Sequence, residues 1–215
     1  RDGNEVEYSP ATGATTESLE LYLNGSVYGA ILHQRKILPM HGSSFLYHGH
    51  AILVCGDAGA GKSSLTASFC LNGAEFLTDD VTPVVFREGK PYIWAMSDRI
   101  KLWSDTLQQL AKKKRGLSRI SPETDKYYYP IKNASGETFR LEKLYILEIS
   151  KNKKVHFINP VSSSTIAALR SMIYRFEYLD GMPDNEQVYF KYLIHICNSV
   201  KVLKIRRPVN IGVPD

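Results

Sequence analysis

Nine consecutive residues, Gly56-Asp57-Ala58-Gly59-Ala60-Gly61-Lys62-Ser63-Ser64, contain the Walker A spacing G-x-x-x-x-G-K-[ST] at every fixed position. Glycines in a short loop let backbone N–H groups come close to an anion, and the start of a following helix adds its own N–H groups and dipole. Lys62 supplies a point charge for the β- and γ-phosphates of a nucleotide, and the Ser63 hydroxyl is placed to ligate Mg²⁺. All nine residues are therefore assigned to nucleotide binding, with ATP as the expected nucleotide and GTP as the alternative.

The motif needs a strand before it and a helix after it, and the sequence provides both. The apolar run at 51–55 reads as a buried strand. Residues 64–71 continue as a helix with Leu65 and Phe69 on one face, stopped by Gly73. Upstream, residues 1–14 read as an irregular lead-in and 15–35 as a helix despite Gly25 and Gly29. Two short strands, 38–41 and 43–47, then lead through the turn His48-Gly49-His50. Downstream, residues 75–78 read as a core strand that delivers Asp79 and Asp80 at its end. A hairpin is expected around Arg87-Glu88-Gly89-Lys90, a strand at 100–103 and a short helix at 105–113. Residues 114–138, with Pro122, Pro130 and the triplet Tyr127-Tyr128-Tyr129, read as a long loop or lid. A strand at 141–149, helices at 166–178 and 186–199, and a strand at 202–205 complete the chain. The reading is α/β: one domain over 15–215, with a nucleotide-binding core whose mixed sheet carries added antiparallel strands and flanking helices.

Composition narrows the partners. The 215 residues are 43% hydrophobic and 23% charged, ordinary for a globular protein. No apolar run approaches a membrane span and no signal peptide is read, so a cytoplasmic location and no membrane partner are expected. Cys55, Cys70 and Cys197 lack CxxC spacing and read as reduced core thiols. The net charge of +5 suits a nucleotide but lacks the concentrated stripe of a nucleic-acid binder. Lys112-Lys113-Lys114-Arg115 reads as a solvated helix end, with acceptor docking as the alternative. Arg206-Arg207 reads as a solvated strand end, again with acceptor binding as the alternative. His33, His48, His50, His156 and His195 have no mutual metal-ligand spacing and read as structural or solvated.

His41-Gly42 fifteen residues before Gly56, the glycine loop, Gly73 and the Asp79-Asp80 pair together resemble the HPr kinase/phosphorylase family. The phrase Leu38-Pro39-Met40-His41-Gly42-Ser43 is similar to shorter HPr-kinase-like proteins, some of which modify ribosomal or lasso peptides. The likeness covers roughly residues 16–105. It implies that His41, Asp79 and Asp80 are catalytic together with Lys62, that a further acidic metal ligand exists, for which Asp105 is the nearest candidate, and that a homo-oligomer is possible. No counterpart of the C-terminal loop used for phosphorolysis is found, so a kinase without the reverse reaction is expected.

The residues fit that chemistry. Phosphoryl transfer needs positioning and charge neutralisation more than covalent chemistry. Asp79 is assigned to accept the acceptor's proton and Asp80, with Ser63, to serve the metal, while His41 hydrogen-bonds a carboxylate or the incoming phosphoryl group. Neighbouring side chains on a strand point to opposite faces, so the pair requires a bend. The expected activity is ATP- and Mg²⁺-dependent phosphorylation of a serine-type hydroxyl on a peptide or protein. A small-molecule kinase and a nucleotide-binding regulatory protein without transfer are the alternatives.

Overall fold

The first helix begins where the chain offers a cap. Thr15 accepts the Ser18 N–H and Ser18 Oγ accepts the Thr15 N–H, a reciprocal pair that starts α1 (Thr16–Tyr22). A π-helical turn, Leu23–Val27, joins it to α2 (Tyr28–Gln34), so the expected helix exists with one interruption. The interruption falls at Gly25, where a Cβ would lie 3.3 Å from the Tyr174 hydroxyl. The structure, a computed structural model, describes residues 3–134, 136–160 and 162–209.

A mixed sheet follows. Strand β1 (Leu38–Tyr47) is one strand of ten residues, where the sequence suggested two. It changes partner at Gly42: residues 38–41 pair antiparallel with β4 (Val81–Arg87), and residues 42–47 with β2 (His50–Gly56). The hairpin between β1 and β2 turns through His48 and Gly49, both at positive φ, the conformation two-residue hairpin loops favour. The turn at Glu88-Gly89 repeats this between β4 and β5 (Lys90–Trp94). Helix α3 (Lys62–Leu71) and strand β3 (Glu75–Thr78) come next after β2, and β3 pairs antiparallel with β1 on the same side as β4.

Residues 114–138 are not a structureless lid. They contain β7 (Lys126–Pro130), which pairs with β6 (Arg99–Trp103) in a separate two-stranded sheet. Helix α4 (Ser104–Gln109) between them is shorter than expected. The long strand β8 (Thr138–Ser150) runs beside β5, then parallel to β2 and to β10 (Lys201–Pro208), with β9 (His156–Ile158) at the edge. Because β1 pairs with both β2 and β4, and β8 with both β5 and β2, the strands β2, β1, β4, β5 and β8 close a circuit. Helix α5 (Ser162–Ser171) ends earlier than expected; Ile173 then bridges to Met40, and a 3₁₀ segment (Phe176–Gly181) leads to α6 (Pro183–Ser199).

Both faces of the sheet are covered. Leu53, Leu77, Ile93 and Leu144 pack with Leu169, Tyr189, Leu193 and Ile196 of α5 and α6. On the other face Phe45, Ile52, Val54 and Leu147 meet Leu65 and Phe69 of α3. The β6–β7 sheet docks on α3 through Ile100, Leu102, Leu107 and Tyr127 around Ala67. The fold is thus mixed α/β with flanking helices. Among the described residues, no helix is long and apolar enough to cross a membrane.

Candidate functional site

The glycine loop links the end of β2 to the start of α3, the context its sequence requires. Gly56 has φ 144, and a Cβ there would stand 2.5 Å from the Leu147 carbonyl oxygen, so only glycine lets β2 leave the sheet this close to β8. Asp57, Ala58 and Gly59 form the exposed tip and Ala60 is buried. The first intrahelical bond of α3 runs from Leu65 N to Gly61 O, so the N–H groups of Lys62, Ser63 and Ser64 precede it and lack helical partners. The buried Lys62 ammonium donates to the carbonyls of Gly56 (2.8 Å) and Asp57 (3.0 Å), and burial holds its pKa below the ordinary lysine value.

The two aspartates part company at a tight bend. The Val81 N–H donates to the Asp79 carbonyl at 2.9 Å, and Asp80 between them has φ 73. That is a γ-turn of the rare, strained form. It supplies the bend the sequence required. Asp79 accepts the Ser63 hydroxyl at 2.7 Å on one oxygen and the Lys101 N–H at 3.0 Å on the other. Asp80 faces elsewhere: its carboxylate lies 2.9 Å from Lys101 Nζ and 3.5 Å from His41 Nδ1. Burial pushes the Asp80 carboxyl up, but the Lys101 ammonium, together with His41 and Lys126, holds the group below the usual carboxylate value.

His41 sits at the point where β1 passes β4. Its Nδ1 is 3.2 Å from the Asp80 carbonyl oxygen, which can only accept, so Nδ1 carries the proton and Nε2 keeps a lone pair. Burial, reinforced by nearby Lys62, lowers the His41 pKa below 6.5 against the opposing pull of Asp80, so the ring is neutral at pH 7. Its other side borders an open depression of about 290 Å³ shared with Ser171, Ile173, Tyr174, Arg175 and Glu177.

A buried hydroxyl cluster fastens the bend. Thr78 shares hydrogen bonds of 2.6 Å with both Ser44 and Thr82, Ser43 donates to the Thr78 carbonyl, and Thr82 donates to the Gly42 carbonyl.

Asp105 stands in the first turn of α4. It is exposed, and its carboxylate accepts the N–H of Thr106 at 2.6 Å. Among the described residues no three His, Cys, Asp or Glu are placed to hold a metal ion. Ser64 instead shares a 3.1 Å hydrogen bond with Thr106, tying α3 to α4.

Arg207 is the residue that the sequence reading misplaced. It is not a solvated strand end: Nε donates to the Ala60 carbonyl at 2.8 Å and Nη2 reaches the Gly59 carbonyl at 3.4 Å. Gly61, at φ 95, makes this possible, since a Cβ there would come within 3.1 Å of the guanidinium. Arg206 behaves as expected, pairing with Glu148 on the surface.

No known protein-family profile and no curated protein matches the chain. Among solved structures it is similar to the Hpr(Ser) kinase/phosphatase from Coxiella burnetii, with 12% sequence identity and a TM-score of 0.38. The match covers 80% of this chain and 86% of that one.

Proposed function

We propose that this chain is an ATP- and Mg²⁺-dependent kinase that phosphorylates a serine-type hydroxyl on a peptide or protein, without the reverse phosphorolysis. The observation that carries the reading is the convergence, beside one glycine loop, of a buried lysine, a serine–carboxylate pair and a histidine–carboxylate pair on separate sides of a strained turn. A binding protein that only senses a nucleotide has no need of the second pair.

The geometry favours exchanging the roles given to the two aspartates by sequence. Ser63 and Asp79 present hard oxygens 2.7 Å apart at the start of α3, a donor set that suits Mg²⁺, which takes one or two carboxylates together with phosphate and water. When bound there, the ion would neutralise charge on the β- and γ-phosphates. Asp80, tied to Lys101 and His41, belongs to the acceptor side. Open N–H groups at Gly61 to Ser64 and the Lys62 ammonium hold the phosphate chain, Lys62 exchanging its two loop carbonyls for phosphate oxygens. Asp80 fixes the His41 ring so that Nε2 faces an incoming hydroxyl. The serine oxygen bonds to the γ-phosphorus, the bond from that phosphorus to the bridging oxygen of ADP breaks, and the hydroxyl proton passes to Nε2.

The test offers γ-labelled ATP and Mg²⁺ with a panel of serine peptides and HPr to the wild type and to Lys62→Ala, Asp79→Asn and His41→Asn. Label on serine is expected in the wild type and lost by about 10²-fold or more in each variant. Asp79→Asn should also abolish the Mg²⁺ dependence of ATP affinity, which His41→Asn should retain. Tight ATP binding with no label on any acceptor refutes peptide phosphorylation, and leaves a small-molecule kinase or a nucleotide-gated regulator.

A further inference from the structure

The positive charge of this chain is concentrated in one excursion. Residues 99–132 hold nine Lys and Arg against three Asp and Glu, a net +6, whereas the entire chain carries +5, so the remainder is at −1. This excursion is the β6–α4–β7 unit that docks on α3, and its Lys101 is the residue engaged with both Asp79 and Asp80.

Four of these cations make a wall. Past the end of α4, Ala111 takes a left-handed conformation (φ 52) and the Lys112 N–H donates back to the Leu107 carbonyl at 2.8 Å. Lys114 Nζ donates to Ser104 Oγ at 2.6 Å. The chain is thereby folded back along the helix. Lys112, Lys113, Lys114 and Arg115 line an open depression of about 550 Å³ together with Ser104, Gln108 and Ala111. Of the acids nearby, Glu123 accepts from Ser121, and Asp125 accepts from the Tyr127 hydroxyl and lies near Arg119 and, of the wall, Lys114. Among the described residues no carboxylate reaches Lys112, Lys113 or Arg115 within 4.0 Å. A depression lined by three cations without a carboxylate partner fits an anionic guest.

The guest is a polypeptide rather than a nucleic acid. Single-stranded nucleic acids are held by basic grooves that also offer free aromatic faces for base stacking. Here none of the described residues that line the depression is aromatic, so it offers no such face. We infer that the depression at residues 112–115 docks an acidic segment of the peptide or protein acceptor, apart from the serine that is modified. Thr106, two residues along the same helix from Ser104, touches Ser64 of the glycine-loop helix, so an acceptor held here has its serine tethered close to the nucleotide. The inference deepens the kinase reading and rests on it for the tethered serine, but not for the binding itself.

The experiment measures fluorescence anisotropy of a labelled ten-residue Asp/Glu-rich peptide without nucleotide, on the wild type and on Lys112→Glu/Lys113→Glu/Arg115→Glu. Lys114 is left in place because it supports the loop, and an unchanged melting temperature checks the fold. Binding should weaken at least about tenfold in the variant and fall with added salt. In transfer assays the KM for a serine peptide bearing that acidic segment should rise by a similar factor, with KM for ATP and kcat unchanged. Equal binding by wild type and variant, or tighter binding of a single-stranded RNA of the same charge, overturns the inference. Acidic-peptide binding that the variant loses, with no phosphate transferred by either protein, refutes the kinase reading and leaves the docking site standing.

Discussion

Replacing Arg207 tests whether the glycine loop is held ready for phosphate before any nucleotide arrives. The Ala60 carbonyl points at the guanidinium, and in a planar trans peptide the Gly61 N–H of the same unit points the opposite way. Arg207 therefore fixes the direction of an N–H on the side where those of Lys62 and Ser63 are open. A hydrogen bond from a charged group is worth about 1.5–3 kcal/mol, and the second contact, at 3.4 Å, adds little. Partial exposure of Arg207 trims the figure to about 1–2 kcal/mol, a factor of five to thirty in an equilibrium constant. In Arg207→Gln the loop samples other conformations, and binding must supply the cost of ordering it. Calorimetric titration should show Kd for ATP and for ADP rising five- to thirtyfold, with adenosine, which has no phosphate, unaffected. Arg207→Lys keeps the charge but not the fork and should fall between. Unchanged ATP affinity in Arg207→Gln, or an equal loss for adenosine, refutes the reasoning. Tighter ATP binding refutes it differently, by showing that the guanidinium competes with phosphate.

Two further outcomes concern pH. Because burial and Lys62 depress the His41 pKa below 6.5, and the proposed base must be neutral, kcat/KM should stay level down to about pH 6.5 and decline below it; an acid limb centred above pH 7 removes His41 as the base. Lys101→Met removes the main cation that opposes burial at Asp80, so the carboxyl pKa rises. A depressed carboxyl contributes stability that is present above its unfolded pKa and lost as pH falls through the folded value. The variant should be less stable than the wild type by about 1–3 kcal/mol at neutral pH, and the deficit should shrink as pH falls and the carboxyl takes up its proton, read as melting temperature from pH 7 to 4. An unaltered pH profile means that Lys101 does not govern Asp80.

Much of the site was legible because its signals are local. The glycine loop, the strand before it and the helix after it occupy consecutive residues, and the need for a bend at Asp79-Asp80 follows from strand geometry alone. Both hairpin turns were marked by a glycine at their second position. What was missed depends on partners distant in sequence. Strand β1 read as two pieces because Gly42 interrupts its pattern, whereas the change there is one of partner, not of backbone. Pro122, Pro130 and the run of tyrosines disguised β7, whose strand partner β6 lies about thirty residues earlier. Helix α5 stops at Ser171 because Ile173 is drawn to Met40 and the Tyr174 N–H to the Pro39 carbonyl. Arg207 lies 147 residues from Ala60, and nothing in its neighbours along the chain points to the loop.

The turn at Asp80 explains why two adjacent carboxylates can serve two reactants. Strands β3 and β4 lie along the same edge of β1, with Thr78 opposite Ser44 and Val81 opposite His41, so a regular backbone through Asp79 and Asp80 would merely continue the ladder. A left-handed, non-glycine residue there costs roughly 1–2 kcal/mol and persists only when its surroundings fix it. The surroundings are four hydroxyls, Ser43, Ser44, Thr78 and Thr82, all buried in the sheet. Burying such groups without partners would be unfavourable, but each is hydrogen-bonded to another or to a carbonyl flanking the turn. An apolar cluster could fill the same volume, yet it would not select one backbone path over another. Directional bonds do, and the path they select puts Asp79 against Ser63 and Asp80 against His41. The polar core beneath the turn is thus what converts a repeated residue into two chemically distinct groups.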